Sequence, residues 1–168
     1  MRLAAYWVET EKCRLAIMPR PRGGDWLDDE IRALKSEGVG VIVSALEHEE
    51  CAEIDLTQEA DCCRRWGMAF ISLPIPDRSV PPNLEEFEAG VDSIDAHLKR
   101  GQPVVVHCRA GIGRSTVIAA ALLLRHGFSV SAAFALLQQA RGHPVPDTPE
   151  QREWVERFAA RSESGGQG

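Results

Sequence analysis

Short apolar runs bounded by turn residues recur along this chain of 168 residues. Runs of this kind, separated by glycine, proline and polar clusters, are typical of buried strands. The first two runs are close enough in sequence to pair as an N-terminal hairpin, and the last is apolar on both faces, which predicts a central place in a sheet. The predicted strands are Tyr6 to Val8, Leu15 to Met18, Val39 to Leu46, Met68 to Leu73 and Pro103 to His107.

Between the strands, apolar residues recur at spacings of three and four positions, which is the period of an amphipathic helix. The clearest case starts at the cap residue Asn83. An earlier helix is capped by Asp25, places Trp26 on its apolar side and ends at Gly38. A less regular helical region leads to Trp66. Further helices are predicted at Ser115 to His126, Val130 to Arg141 and Pro149 to Arg161.

Strands that alternate with helices after an N-terminal hairpin predict a three-layer α/β fold, in which helices cover both faces of a mixed, mostly parallel sheet of about five strands. Ligands of such sheets bind beyond the carboxyl ends of the strands. The chain contains no internal repeat or linker, so we expect a single domain over residues 1–161 and a disordered tail over residues 162–168.

The overall composition limits the kinds of partner that this protein is expected to bind. A hydrophobic content of 44% suits one substantial core, whereas the net charge of -6 argues against a surface built for nucleic acid or anionic lipid. The N-terminal segment lacks the apolar core and cleavage site of a signal peptide, and the longest apolar run, Val117 to Leu124, is too short for a bilayer. We expect a soluble cytoplasmic protein.

The five cysteines form no Cys-x-x-Cys pair, which favours reduced thiols in a reducing compartment. We interpret the polar string Glu47 to Cys51 as a solvated face rather than a metal site, and we expect neither a metal nor a cofactor. The neighbouring Cys62 and Cys63 are typical of small buried residues. A redox role for these two or for Cys51, by trapping an oxidised catalytic thiol, stays open.

The strand that ends at His107 runs into the sequence HCRAGIGRST, which places the thiol of Cys108 where a strand meets a loop. Backbone N–H groups of such a loop, together with the N-terminus of the next helix, form a cradle for a tetrahedral oxyanion. Glycines allow positive φ and close approach of the ligand, and the guanidinium of Arg114 can bind two anion oxygens. The predicted substrate-binding residues are Arg109, Ala110, Gly111, Ile112 and Gly113.

The same positive field favours the thiolate form of Cys108, which would then be a nucleophile at neutral pH beneath a bound phosphate. Attack on phosphorus requires a proton for the leaving oxygen, and therefore a nearby acid. The proline-rich sequence LPIPDRS supplies Asp77 in a loop. An aspartate after proline is by itself more typical of a turn, so the catalytic interpretation depends on the cysteine loop.

The sequence HCRAGIGRS resembles the Cys-x5-Arg-Ser/Thr signature of protein tyrosine and dual-specificity phosphatases, and IPD resembles the general-acid loop of that family. Within the family, the compact atypical, kinase-associated-phosphatase-like members are the most similar, through the sequences LAIMPRP, DEIRALKSEGV and LPIPDRSVPP. The resemblance implies a phosphocysteine intermediate on Cys108, a phosphate clamp at Arg114, and Asp77 as an acid that later acts as base for water. It also implies that Ser115 helps the thiolate leave and that His107 supports the loop.

Several of these residues have an equally good structural explanation. Ser115 suits the first turn of a helix, and His107 suits an ordinary buried position at a strand end. Thr148 and Gln151 fit the two ends of a capping box, although a similar glutamine lies near the site in compact relatives. The role of Gln151 as a supporting site residue therefore stays open at this point.

The substrate class is less constrained than the chemistry. Ile75 stands where the larger tyrosine-specific enzymes have tryptophan, and Tyr6 is the only tyrosine, so we expect a shallow pocket that admits phosphotyrosine and also phosphoserine or phosphothreonine of a protein substrate. Arg109 favours multiply charged substrates or forms a surface salt bridge. The alternatives are a phosphatase of phosphoinositides, inositol phosphates or RNA 5′-phosphates, and a module that binds phosphate without hydrolysis.

Overall fold

The computed structural model describes residues 4–165 and contains a five-stranded sheet with helices on both faces. The strands are β1 (Tyr6–Glu9), β2 (Arg14–Met18), β3 (Val41–Ser44), β4 (Ala69–Ser72) and β5 (Val104–His107). The helices are α1 (Leu27–Ser36), α2 (His48–Glu53), α3 (Glu59–Arg65), α4 (Leu84–Lys99), α5 (Arg114–Arg125), α6 (Val130–Arg141) and α7 (Pro149–Gly165).

The strand order is β1-β2-β5-β3-β4, with β1 antiparallel to β2 and the other neighbours parallel. The predicted N-terminal hairpin, the mostly parallel sheet and the central place of β5 are therefore confirmed. Val104 of β5 lies opposite Leu15 of β2 and Val41 of β3. Because β2, β3 and β5 run in the same direction, the loops at their carboxyl ends meet along one edge of the sheet.

Alternate residues of β5 belong to two separate cores, which explains why this strand is apolar throughout. Val104 and Val106 pack with α4 to α7 on one face, and Val105 packs with α1 and α3 on the other. Helix α5 is buried along its first ten residues, Arg114 to Leu123. The helix that follows the anion-binding loop is thus anchored in the larger core, which gives the loop a rigid base.

The first and the last helix differ from the sequence predictions. Trp26 is 57% exposed, because a 3₁₀ turn at Gly24–Trp26 precedes α1 and leaves the indole outside, covered by the Arg22 guanidinium at 4.4 Å. Helix α7 continues to Gly165, beyond the predicted end at Arg161. The rest of the expected tail, residues 166–168, lies outside the described residues. Within the described range, no helix has the length and apolarity needed to span a membrane.

Candidate active site

Residues 108–113, here named the anion loop, connect the end of β5 to the start of α5. Gly111 has a φ of +71°, and a Cβ at this position would lie 2.6 Å from the backbone of Met18 and Pro19. Both the left-handed conformation and the close approach of the β2 backbone therefore require glycine here. The Gly111 N–H donates to the Sγ atom of Cys108 at 3.3 Å, which turns the loop inward around the sulfur.

Cys108 is nearly buried and lies at the base of the loop. Its Sγ atom is 3.3 Å from the Oγ atom of Ser115, which belongs to the first turn of α5. The Gly111 amide and the Ser115 hydroxyl are thus two donors available to a thiolate. The two sequence-based interpretations of Ser115 are compatible, since the residue is in the first helical turn and also touches the sulfur.

Arg114 is 2% exposed and donates three hydrogen bonds to two other parts of the chain. Its Nη1 and Nη2 atoms donate to the two carboxylate oxygens of Glu50 at 2.7 and 3.1 Å, and Nη1 also donates to the carbonyl oxygen of Ile75 at 3.0 Å. Burial opposes the charge on Arg114, but the hydrogen bonds and the negative charge of Glu50 outweigh it and raise the pKa of the guanidinium. The guanidinium is therefore fixed in one plane as a permanent cation.

The predicted acid, Asp77, approaches the same guanidinium from the loop after β4. Its Oδ1 atom is 3.2 Å from Nη2 of Arg114, while its side chain remains 60% exposed. The preceding Ile75 is fully buried and anchors the loop, and the following Arg78 has a φ of +58°. The segment 74–79 is named the acid loop below. Its contacts bring Asp77 to the same cavity as Cys108.

A cavity of about 220 Å³ opens above the sulfur. Most of the predicted site residues line it, whereas His107, Gly111 and Ser115 do not. The lining residues are Asp77, Arg78, Cys108, Arg109, Ala110, Ile112, Gly113, Arg114, Asp147 and Gln151.

Beneath the anion loop, the predicted supporting residue His107 is fully buried against a buried carboxyl group. Its Nε2 atom is 2.6 Å from Oε1 of Glu59, and its Nδ1 atom is 3.4 Å from the carbonyl oxygen of Cys108. Glu59 is 1% exposed, and its Oε2 atom has no partner among the described residues. The pair joins α3 to the strand end that holds the thiol.

Gln151 lies in both of the places that the sequence left open, a capping box and the wall of the cavity. It forms the capping box of α7, since its N–H donates to Oγ1 of Thr148 at 3.2 Å and its Oε1 atom accepts from the Thr148 N–H at 3.1 Å. It is also fully buried at the cavity wall, where its Nε2 atom donates to the carbonyl oxygen of Ser79 at 3.0 Å. The Gln151 side chain therefore connects the start of α7 to the acid loop.

Four residues near the site were not predicted from the sequence: Glu50, Glu59, Arg141 and the cavity-lining Asp147. Glu50 lies in the string interpreted as a solvated face, and for this residue that interpretation is wrong because its carboxylate is turned onto Arg114. Glu59 binds His107, and Arg141 donates to the carbonyl oxygens of Gly111 and Ala110 at 3.1 and 3.3 Å. These residues are distant from residue 114 in the chain, and no motif links them to it.

Arg109 forms the surface ion pair that was one of its two predicted roles. Its Nη2 atom is 3.6 Å from Oε2 of Glu53, and both side chains are largely exposed. The backbone of Arg109 is held more firmly, since its carbonyl oxygen accepts from the Arg20 N–H at 3.2 Å. An exposed pair at this distance contributes little stability.

A thiol at the base of an amide-lined loop, beside a buried arginine and a carboxyl group, is the arrangement of a cysteine-based phosphatase. A family model described as "Polymorphic toxin system, DSP-PTPase phosphatase" matches residues 16–128. The chain therefore belongs to the DSP-PTPase phosphatase family.

Known relatives and structures agree with this family. The phosphatidylglycerophosphate phosphatase PTPMT2 of Arabidopsis thaliana is 28% identical over 131 residues, covering 77% of this chain and 55% of the relative. The cyclin-dependent kinase inhibitor 3 of Rattus norvegicus is 26% identical over 134 residues, covering 79% of this chain and 63% of the relative. The chain thus spans less than two thirds of the length of these two relatives.

The fold is shared with kinase-associated phosphatase, solved with its catalytic cysteine replaced by serine. The two structures superpose with a TM-score of 0.86 at 21% identity over 96% of both chains. This likeness confirms the predicted fold class.

Proposed function

We propose that this chain hydrolyses phosphomonoesters of proteins in two steps, through a phosphocysteine formed on Cys108. One observation carries the proposal: the sulfur lies 3.3 Å from both the Gly111 N–H donor and the Ser115 hydroxyl, at the base of a cavity also lined by Arg114 and Asp77. Hydrogen-bond donors of this kind favour the thiolate form of a cysteine.

In the first step the thiolate of Cys108 attacks phosphorus, so that a sulfur–phosphorus bond forms while the bond to the leaving oxygen breaks. Asp77, protonated at this stage, transfers its proton to the leaving oxygen, and the free hydroxyl of the substrate departs. The anion-loop amides and the Arg114 guanidinium stabilise the charge on the equatorial oxygens of the transferring group.

In the second step water attacks the phosphocysteine and the sulfur–phosphorus bond breaks. Asp77, now a carboxylate, takes the proton from water, and inorganic phosphate is released. The Ser115 hydroxyl donates a hydrogen bond to the departing thiolate, which lowers the cost of expelling it. The enzyme returns to its starting state with Asp77 protonated and Cys108 ionised.

The charge around the cavity mouth supports a protein substrate with a single phosphate. The arginines of the mouth already face carboxylates, since Arg78 pairs with Asp147 at 3.1 Å and Arg109 pairs with Glu53 at 3.6 Å. A polyanion such as RNA is bound by concentrated positive charge that is free to replace counterions. Here it would meet nearly balanced charge, so we propose phosphotyrosine and phosphoserine or phosphothreonine peptides as substrates.

A second candidate substrate class is favoured by Arg109. Its ion pair with Glu53 is longer than a hydrogen bond, so the guanidinium can turn towards a second phosphate beside the one in the anion loop. The name of the Arabidopsis relative refers to a phospholipid. Phosphoinositides and inositol phosphates are therefore the alternative substrates, with RNA 5′-phosphates as a further case.

Hydrolysis of a chromogenic aryl phosphate in the presence of EDTA tests the chemistry. We expect turnover by wild type, none by Cys108→Ser, and a large loss with retained substrate binding for Asp77→Asn. Absence of turnover by wild type would instead indicate a binding module. A panel of phosphopeptides, phosphoinositides and RNA 5′-phosphates then tests the substrate class, and a preference for either of the latter two would overturn the protein assignment.

A further inference from the structure

The acid loop is attached to the start of α7 by two side-chain contacts. The Nε atom of Arg78 donates to Oδ2 of Asp147 at 3.1 Å, and the Nε2 atom of Gln151 donates to the carbonyl oxygen of Ser79 at 3.0 Å. Both contacts connect residues about 70 positions apart in the chain, with separations of 69 and 72. Both contacts are made by residues that directly follow Asp77, and neither involves the Asp77 carboxyl group.

A single buried amide organises the α7 side of this attachment. Gln151 is fully buried, and its Oε1 atom accepts from the N–H groups of Asp147 and Thr148 at 3.0 and 3.1 Å. The same side chain therefore fixes the backbone of Asp147 and, through its Nε2 atom, the backbone of Ser79. A buried amide with all of these groups satisfied is a rigid connection.

Asp147 also lies against the anion loop. A Cβ at Gly113 would be 3.0 Å from the Cβ of Asp147 and 3.0 Å from Nε2 of Gln151. Asp147 and Arg78 both line the cavity, so their ion pair connects the anion-loop side of the mouth to the acid-loop side. The absence of a side chain at Gly113 makes this approach possible.

The acid loop needs such external attachment because its own packing is poor beyond Ile75. Asp77 is 60% exposed, and Arg78 holds a φ of +58°, a left-handed conformation that is unfavourable for a side chain with a Cβ. Strained backbone of this kind persists where surrounding contacts determine it. The contacts to Arg78 and Ser79 come from Asp147, just before α7, and from Gln151 in its first turn.

We propose that Asp147 and Gln151 are positioning residues for the general acid: they hold Arg78 and Ser79 so that Asp77 stays directed at the leaving oxygen above Cys108. The assignment deepens the proposed function and rests on it. Neither residue exchanges a proton with the substrate; both act through the conformation of the acid loop.

The dependence of rate on the leaving group distinguishes this role from ordinary structural support. An ester with a good leaving group, such as dinitrophenyl phosphate, departs without a proton, whereas phenyl phosphate requires the acid. A change that misplaces Asp77 therefore slows phenyl phosphate more than dinitrophenyl phosphate. A change that only weakens the fold or phosphate binding slows both esters by the same factor.

The test compares kcat/KM for the two esters in Asp147→Asn and Gln151→Glu. The control is Asp92→Asn on α4, which removes an ion pair with Arg125 of α5 outside the cavity. We expect Asp147→Asn to lower the phenyl-to-dinitrophenyl ratio about threefold, in keeping with an exposed pair. Gln151→Glu keeps the acceptors for Asp147 and Thr148 but loses the donor to Ser79, and should lower the ratio further. The control should leave it unchanged.

If Gln151→Glu fails to fold, Asp147→Asn and the charge exchange Arg78→Asp with Asp147→Arg still decide the assignment, because restoring the pair should restore the ratio. An unchanged ratio in Asp147→Asn, or equal losses on both esters, overturns the positioning role while the proposed function stands. Hydrolysis of neither ester by wild type would overturn the proposed function and this assignment together.

Discussion

Glu50 and Arg114, separated by 64 positions in the chain, face each other through two hydrogen bonds, from Nη1 to Oε2 at 2.7 Å and from Nη2 to Oε1 at 3.1 Å. The paired contact fixes the plane of the guanidinium as well as its position. Burial alone would raise the pKa of Glu50, but the hydrogen bonds from Arg114 and from the Glu47 backbone lower it overall. The carboxylate therefore stays ionised at neutral pH and holds the phosphate clamp in place.

Glu50→Gln is expected to lower kcat/KM for an aryl phosphate about tenfold to a hundredfold, because a small displacement of a positioning group has effects of that size. Glu49→Gln on the exposed side of the same helix is the matched control and should retain wild-type rates. Steady-state kinetics measures both. Equal rates for Glu50→Gln and wild type would show that the clamp is oriented without this carboxylate.

The same substitution makes a pH-dependence prediction. The pKa of Glu50 is lower in the folded protein than in the unfolded chain, where it is about 4.3. The ionised carboxylate therefore stabilises the fold above the unfolded pKa, and this stabilisation is lost as pH falls through the folded pKa. Urea unfolding between about pH 2 and pH 5 should therefore show a shallower acid loss for Glu50→Gln than for wild type. Parallel curves would contradict the lowered pKa.

Gly111→Ala is expected to destabilise the protein and abolish activity. Positive φ at an alanine costs about 1–2 kcal/mol, and the contact of 2.6 Å with the backbone of Met18 and Pro19 forces the anion loop to move. Gly127→Ala is a matched control, with a φ of +90° and nothing within 4 Å of an added Cβ. Denaturant unfolding should show a larger loss at 111 than at 127, and only the first should lose turnover.

Ser115→Ala is expected to slow the second step of the reaction more than the first. The hydroxyl lies 3.3 Å from the sulfur and would stabilise it as it leaves phosphorus. Rapid-mixing kinetics should then show a burst of released alcohol followed by a steady state about tenfold slower than wild type. Ser115→Thr keeps the hydroxyl and should restore the rate. A linear time course without a burst would assign Ser115 to helix capping alone.

The other cysteines are expected to resist alkylation in the folded protein. Burial raises the pKa of Cys13, Cys51 and Cys62, and raises that of Cys63 from 9.0 to about 12. Because a raised thiol pKa keeps the neutral form, the stability it contributes is present below pH 9 and is lost as pH rises towards these folded values. Peptide mass spectrometry after brief iodoacetamide treatment at pH 7 should find the label on Cys108 only.

A label on the remaining thiols should require denaturant, and Cys108→Ser should take up almost none when folded. Rapid modification of Cys51, Cys62 or Cys63 in the native protein would contradict their raised pKa values and would support the redox role that the sequence left open.

His107→Asn is expected to cost about 3–5 kcal/mol of unfolding free energy, because it leaves the Glu59 carboxylate buried without its partner. Adding Glu59→Gln removes that isolated charge and should recover part of the loss, as measured by urea denaturation. Additive losses in the double variant would show that the 2.6 Å contact does not couple the two residues.

Local patterns were sufficient to predict most elements of the fold. Apolar runs and cap residues indicated all of the strands and the helix after Asn83, whose side chain accepts from the Glu86 N–H at 3.0 Å as expected. The prediction that Trp26 lies on the apolar side of the first helix was wrong, because the periodicity of apolar residues does not reveal the 3₁₀ turn that precedes this helix. The apolar character of β5 was enough to place it at the centre of the sheet.

Part of the site is built from residues close in sequence, and part from residues of distant segments. Cys108, Arg114 and Ser115 are close in sequence, and the geometry of a strand, a glycine-containing loop and a helix start is local, so their spacing alone predicted an anion-binding turn. Glu50, Glu59, Arg141 and Asp147 reach that turn from four other segments. A charged residue in a polar string looks the same in sequence whether its side chain faces water or a buried arginine. Only the packing of α2, α3, α6 and the start of α7 around β5 decided that these four side chains face the site.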